Sequence, residues 1–215
     1  MSNGRVVPFN PLNKRNLAES VARALLRQPA RSMSQLERFK GAGIYVIYYT
    51  GDFPPYGEIA TRNANGRFAA PIYVGSKTPS GSRKGNIGLD VEPGYDLHGR
   101  LKKHRESLMA ANNLNIEDFY YRLLVVEDIW IPLGESLLIT QFTPIWNRLV
   151  DGFGNHDPGR GRYGGLRPRW DVLHPGRAWA EKCKPREETQ EQLIREVRDF
   201  LANNPPPVDT NILSD

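Results

Sequence analysis

GAGIYVIYY (residues 41–49) and PIYVGSK (residues 71–77) are the two stretches whose reading decides the fold. Each is a short run of β-branched and aromatic residues bounded by Gly or Pro, which is how a buried strand reads. A third run of the same kind, DFYYRLLVVE, occupies residues 118–127. Between the first two lies GDFPPYGEIATRNANGRFA, a turn-rich insertion. The pairing expected of the first two strands sets one phenol on each of two neighbours, Tyr45 and Tyr73.

Working outward, helical periodicity brackets the strands. Residues 13–27 carry Leu17, Val21, Ala24, Leu25 and Leu26 at helical spacing, and Pro29 stops the run. After a Gly-, Ser- and Pro-rich loop, Asp96 is placed to cap a helix whose apolar stripe is Leu97, Leu101 and Leu108. On it Arg100 and His104 stand four apart and share a face. Pro132 suits a first helical position, with Glu135 expected in the first turn, and residues 186–203 form a charged amphipathic helix. The expected fold is therefore α/β, a small three-stranded antiparallel sheet flanked by helices.

One domain is expected over residues 1–215: an N-terminal arm and helix (1–40), a core (41–150) with its insertion at 50–70, and an arginine-rich loop with a C-terminal helix (151–215). The 39% hydrophobic content suits a soluble chain with a real core. A net charge of +5 suggests a polyanionic partner. The single cysteine, Cys183, excludes an internal disulfide framework and a cysteine-rich zinc site. The first residues hold no apolar signal core and no long apolar run occurs, so the expectation is a cytoplasmic protein with no membrane segment.

Gly43-Ile44-Tyr45, Tyr73-Val74-Gly75, Arg100 with His104, Glu135 opening a helix, and Asn147 occur in an order that resembles the GIY-YIG nuclease superfamily. The resemblance spans residues 41–148 and is nearest to the type II restriction endonucleases that cut the palindrome CCGCGG. That nearer likeness extends into GNHDPGRGR and WDVLHPGRAWA. Two features depart from the superfamily pattern. Residues 46–72 separate the two tyrosines where a short hairpin is usual, so the insertion is expected to reach around DNA. The second motif reads YVG rather than YIG, a change of one apolar strand residue.

The resemblance implies Mg²⁺-dependent hydrolysis of double-stranded DNA, with one divalent cation per site and Mn²⁺ as a substitute. It implies Tyr45 as proton acceptor from water, Arg100 as holder of the scissile phosphate, His104 as partner of Tyr45, and Glu135 as metal ligand. It implies Tyr73 and Asn147 as support. It also implies a homodimer and a partner DNA methyltransferase in a prokaryotic host. The alternatives in function are a repair or homing nuclease of the same superfamily, or a non-catalytic DNA-binding protein.

Each residue also has a plainer reading. Tyr45 suits a sheet tyrosine, Arg100 a solvated helix arginine, His104 a packing residue, and Glu135 a carboxylate favouring a helix N-terminus. A phenolate at neutral pH costs about 4 kcal/mol from a pKa near 10, so the catalytic reading needs a cation or proton acceptor beside Tyr45. For DNA contact the candidates are Lys77, Arg83 and Lys84 after the second strand, then Asn155, His156, Arg160, Arg162, Arg167 and Arg169, with Arg177 beyond them. Arginine suits guanine, whose O6 and N7 accept its fork.

Overall fold

The computed structural model describes residues 10–80, 93–159, 161 and 163–209. Helix α1 runs Lys14–Leu26, capped by Asn13, whose side chain accepts from the Arg15 amide. Strand β1 is the two-residue stub Arg31–Ser32, β2 is Gly43–Tyr49, β3 is Pro71–Lys77 and β4 is Phe119–Val125. All pairings are antiparallel and the order is β1-β4-β2-β3. The three expected strands are thus present, and residues 31 and 32 add a fourth. A strand of two residues has no period to read.

Central β2 is buried along its whole length, which is why its sequence is continuously apolar rather than alternating. Tyr45, Ile47 and Tyr49 enter one core. Ile44, Val46 and Tyr48 enter another. Helix α3, Asp96–Ala110, supplies Leu97, Leu101 and Leu108 to the first core. Helix α4, Ile131–Phe142, and α1 close the second. Asp96 does not cap α3 by a side-chain bond to its backbone; it is the first helical residue and accepts from Ser80 Oγ. Glu135 is the fifth residue of α4, because the helix begins at Ile131 behind a 3-10 turn. It lies past the first turn, where the helix dipole would favour it most.

The insertion is more ordered than its turn-rich composition suggests. It contains α2, Gly57–Asn63, and is anchored at both ends of that helix. Asn63 donates to the carbonyls of Tyr49 and Ala70 and accepts from the Ala70 amide, each at 2.9 Å. Tyr56 is buried, its hydroxyl 2.8 Å from both Trp146 Nε1 and His174 Nε2. Such internal satisfaction binds the segment to the sheet.

The short helix α5, Ile145–Arg148, returns Trp146 to the core. The 151–177 stretch, which shows no period, contains α6, Arg169–Leu173, and buries Phe153 and Trp170. Helix α7 runs Gln190–Asn203 and starts later than expected because Thr189 and Gln192 form a reciprocal capping box. Its Leu193, Val197 and Leu201 join the core that holds Tyr45. No helix among the described residues is long and apolar enough to cross a membrane.

Helix α1 lies against α4 at Gly134, where an added Cβ would stand 2.7 Å from Val21 Cγ1 and 2.9 Å from Ile44 Cδ1. Gly99 within α3 has open space there instead. Gly99→Ala should therefore stabilise the fold by up to about 1 kcal/mol through helix propensity. Gly134→Ala should destabilise it by about 1–3 kcal/mol, since overpacking outweighs that gain. Urea unfolding of both variants checks the opposite signs, and equal signs would contradict the packing described.

Candidate active site

Two glycines of the strand pair shape the site. Gly43 has φ +156°, and a Cβ on it would overlap the Leu124 carbonyl oxygen, so close pairing of β2 with β4 requires its absence. Gly75 faces Tyr45 across the sheet. A Cβ on Gly75 would overlap the Tyr45 hydroxyl and stand 2.6 Å from Cζ. The Tyr45 ring therefore lies in the space that Gly75 leaves, which directs its hydroxyl toward α3.

There it meets His104, with the phenol oxygen 2.5 Å from Nε2. Both side chains are buried. Burial, then the neighbouring Tyr73 and Glu135, pushes the Tyr45 phenol well above its ordinary pKa, against the pull of Arg100. Burial, then Arg100 and Arg177, holds His104 well below the ordinary histidine value. Both shifts favour the neutral pair, so the phenol donates and Nε2 accepts. Phe153 stacks on the His104 ring at 4.4 Å and 15°. Tyr73 packs edge-on to both rings, and burial raises its pKa too, with Arg100 opposing.

Arg100 is half-buried, acts electrostatically on both phenols, and donates from Nη1 to the Gly154 carbonyl at 2.8 Å. From the other side of the sheet, Glu135 on α4 accepts a hydrogen bond from Ser76 Oγ at 2.7 Å. Helices on opposite faces can meet because β3 is an edge strand. Asn147 occupies that edge: its Oδ1 accepts from the Val74 amide and its Nδ2 donates to the Val74 carbonyl, both at 2.8 Å. These are the outward backbone groups an unpaired edge would leave open.

The Glu135 carboxyl is raised in pKa by burial, which Ser76 and Arg100 only partly offset. A carboxylate short of positive charge is a fitting ligand for a hard cation. Among the described residues no three His, Cys, Asp or Glu side chains cluster as a metal site. An ion on Glu135 would take its remaining ligands from water and phosphate, as Mg²⁺ commonly does.

Beside these groups opens a cleft of about 780 Å³, lined in part by Ser76, Lys77, Tyr95, Arg100, Lys103 and His156. The expected DNA contacts Lys77 and His156 therefore share one cleft with Arg100, and Asn155 is exposed next to it. Arg83, Lys84, Arg160 and Arg162 lie outside the described residues. Arg167 and Arg169 are engaged within the protein. Arg167 donates to the carbonyls of Ala180 and Glu181. Arg169 donates to the Leu149 carbonyl and pairs with Glu188 and Glu196.

Ser76, Phe153 and Gly154 were not legible as site residues. Strand alternation does put Ser76 on the face opposite Tyr73, but not which helix covers that face. Phe153 stands in a stretch without period, which gives no sign of the ring it meets.

Residues 37–201 match the family described as the Eco29kI GIY-YIG domain, a span that takes in β2, β3, α3, β4, α4 and most of α7. The chain belongs to this family. It is accordingly a GIY-YIG nuclease of the restriction type, with DNA as its substrate. No curated protein matches the chain.

The buried histidines give this GIY-YIG protein a defined acid response. His174 is pushed down to about 3 by burial, and His104 is also lowered. Unfolded histidine titrates near 6.5, so below that pH the unfolded chain binds more protons than the native one. Stability should be full above about pH 7 and fall as pH drops, by about 1.4 kcal/mol per pH unit for each of the two. The raised carboxyls Asp118, Glu135 and Asp171 act with the opposite sign and reduce the net slope. Urea midpoints at pH 7.5, 6.5 and 5.5, compared between wild type and His174→Asn, read the histidine contribution, and an equal slope in both would contradict the neutral burial of His174.

Proposed function

We propose that this nuclease is a Mg²⁺-dependent type II restriction endonuclease that hydrolyses double-stranded DNA at a GC-only palindrome, CCGCGG, as a homodimer. The observation that carries the chemistry is the buried phenol–imidazole contact of Tyr45 and His104, with Arg100 and Glu135 converging on it from opposite faces of the sheet.

Arg100 faces the cleft and retains donors beyond the one used by Gly154, so it can hold a phosphate oxygen in a charge-assisted bond. As water attacks phosphorus, Tyr45 accepts the water proton while its own proton passes to His104 Nε2. The new P–O bond forms as the bond to the 3′ oxygen breaks, and that oxygen takes a proton from solvent, leaving 5′-phosphate and 3′-hydroxyl ends. The pair is neutral without DNA. A bound phosphodiester brings negative charge that favours the imidazolium, which lowers the cost of this transfer. Mg²⁺ held by Glu135, with Mn²⁺ as a substitute, would supply positive charge to the phosphate and the departing oxygen. Ser76 orients the carboxylate for that task.

The palindrome and the dimer rest on the family resemblance and on symmetry. One site per chain cuts one strand, so a two-fold target calls for two chains. A cytoplasmic setting with a companion DNA methyltransferase follows from the same reading, since a host must protect its own copies of the site.

Glu135→Gln keeps the shape of the side chain and removes its charge. Cleavage in Mg²⁺ should fall on the order of 100-fold or more, while metal-free DNA affinity, set by Lys and Arg, should persist. A folded Glu135→Gln protein cutting at the wild-type rate would remove the metal assignment. Specificity and assembly are checked together: digestion of a mapped DNA should yield ends at CCGCGG, and light scattering should show two chains per site. Fragments ending elsewhere, or a monomer on the site, would reject those parts of the reading.

A further inference from the structure

Arg177 stands at the end of the arginine-rich stretch, where the sequence suggests contact with DNA. It is instead only 4% exposed. Its Nε and Nη2 donate to the two carboxylate oxygens of Asp171 at 2.6 and 2.5 Å, a fork-to-fork pair whose members are both buried. The remaining N–H groups go to backbone carbonyls: Nη2 to Gly152 at 2.9 Å, and Nη1 to Phe153 at 3.2 Å and Asn155 at 3.0 Å. Nη1 also reaches Ser107 Oγ on α3 at 3.4 Å. The indoles of Trp170 and Trp179 lie at 4.6 and 4.8 Å from the guanidinium carbon. With its charge matched by Asp171 and its donors committed, Arg177 has nothing left to offer a phosphate or a base.

We propose that Arg177 is a positioning residue: it holds residues 152–155 against α3, so that Phe153 and Gly154 set the Arg100 guanidinium and the His104 ring. The proposal rests on the nuclease reading above and extends its site beyond the strands and helices that carry the family motifs. Three links make the chain of contact. Phe153 contributes a carbonyl to Arg177 and a ring to His104. Gly154, the next residue, gives its carbonyl to Arg100 Nη1. An added Cβ on Gly154 would stand 2.6 Å from Arg100 Nη2 and 2.9 Å from the Tyr73 hydroxyl, so the loop touches two site groups at once. One planar guanidinium reaches the carbonyls of Gly152, Phe153 and Asn155 from two nitrogens while its Nε and Nη2 hold Asp171, an arrangement that lysine, with its protons on a single nitrogen, does not reproduce.

The test uses the full chain in three forms: wild type, Arg177→Lys and Gly154→Ala. For each, the side-chain NMR signals of Arg100 Nε and the His104 ring are recorded, with single-turnover cleavage and metal-free DNA affinity. Arg177→Lys keeps the charge beside Asp171 but loses the carbonyl contacts. In the folded variant both sets of signals should shift and the single-turnover rate should fall on the order of 100-fold, with a much smaller loss of DNA affinity, since Lys77 and Lys103 of the cleft are untouched. Gly154→Ala leaves Arg177 in place and presses on Arg100 directly, so it tests the link from residue 154 to the site that the proposal requires: the Arg100 signals should shift and the rate should fall. Unshifted Arg100 and His104 signals with a wild-type rate, in either folded variant, would overturn the proposal. A wild-type protein that cuts no DNA would overturn the nuclease reading instead, and the NMR signals would still decide the positioning role.

Discussion

Burying a phenol and an imidazole side by side is stable only if each satisfies the other, and the Tyr45–His104 contact imposes that condition on every element around it. The phenol reaches the ring because Gly75 has no side chain. The ring is met from beyond by Phe153. The low polarity that makes an unpaired group costly there also strengthens the contact itself. Strands, α3 and the C-terminal region thus share one requirement, and the same requirement keeps a proton poised between two groups that are both neutral at rest.

The free edge of β3 is the second organising feature. A sheet of this size has its inner strand covered on both faces, so groups from α3 and α4 cannot meet through it. They meet around its edge, where Ser76 and Tyr73 point to opposite faces of one strand. Asn147 occupies the adjacent backbone groups and keeps the edge from pairing with another strand. Edge position, usually a liability, here lets a carboxylate and a guanidinium approach the same place.

The basic residues divide into two populations that net charge cannot separate. Lys77, Arg100 and Lys103 line a cleft. Arg167, Arg169 and Arg177 fasten the C-terminal region to itself and to the core through carbonyls and carboxylates. A run of arginines in a glycine-rich stretch reads as a polyanion contact, yet the same residues suit the fastening of irregular backbone, because a guanidinium satisfies several carbonyls that have no strand or helix partner.

The sequence by itself determined the three long strands, the order of the motif residues and the sharing of one helix face by Arg100 and His104, because these depend on local period and spacing. The family resemblance also marked Asn147 as support for the site. Only the tertiary structure decided that the insertion is anchored through Tyr56 and Asn63, that Glu135 lies past the first turn of α4, that Ser76 orients it, and that Arg177 is buried against Asp171. Each of these depends on which distant segment covers which face, and on partners such as Asp118 for Thr50 or Gly154 for Arg100 that no local spacing encodes. Hydrophobic pattern says that a side chain is to be buried; the identity of the group that meets it there is settled by packing alone.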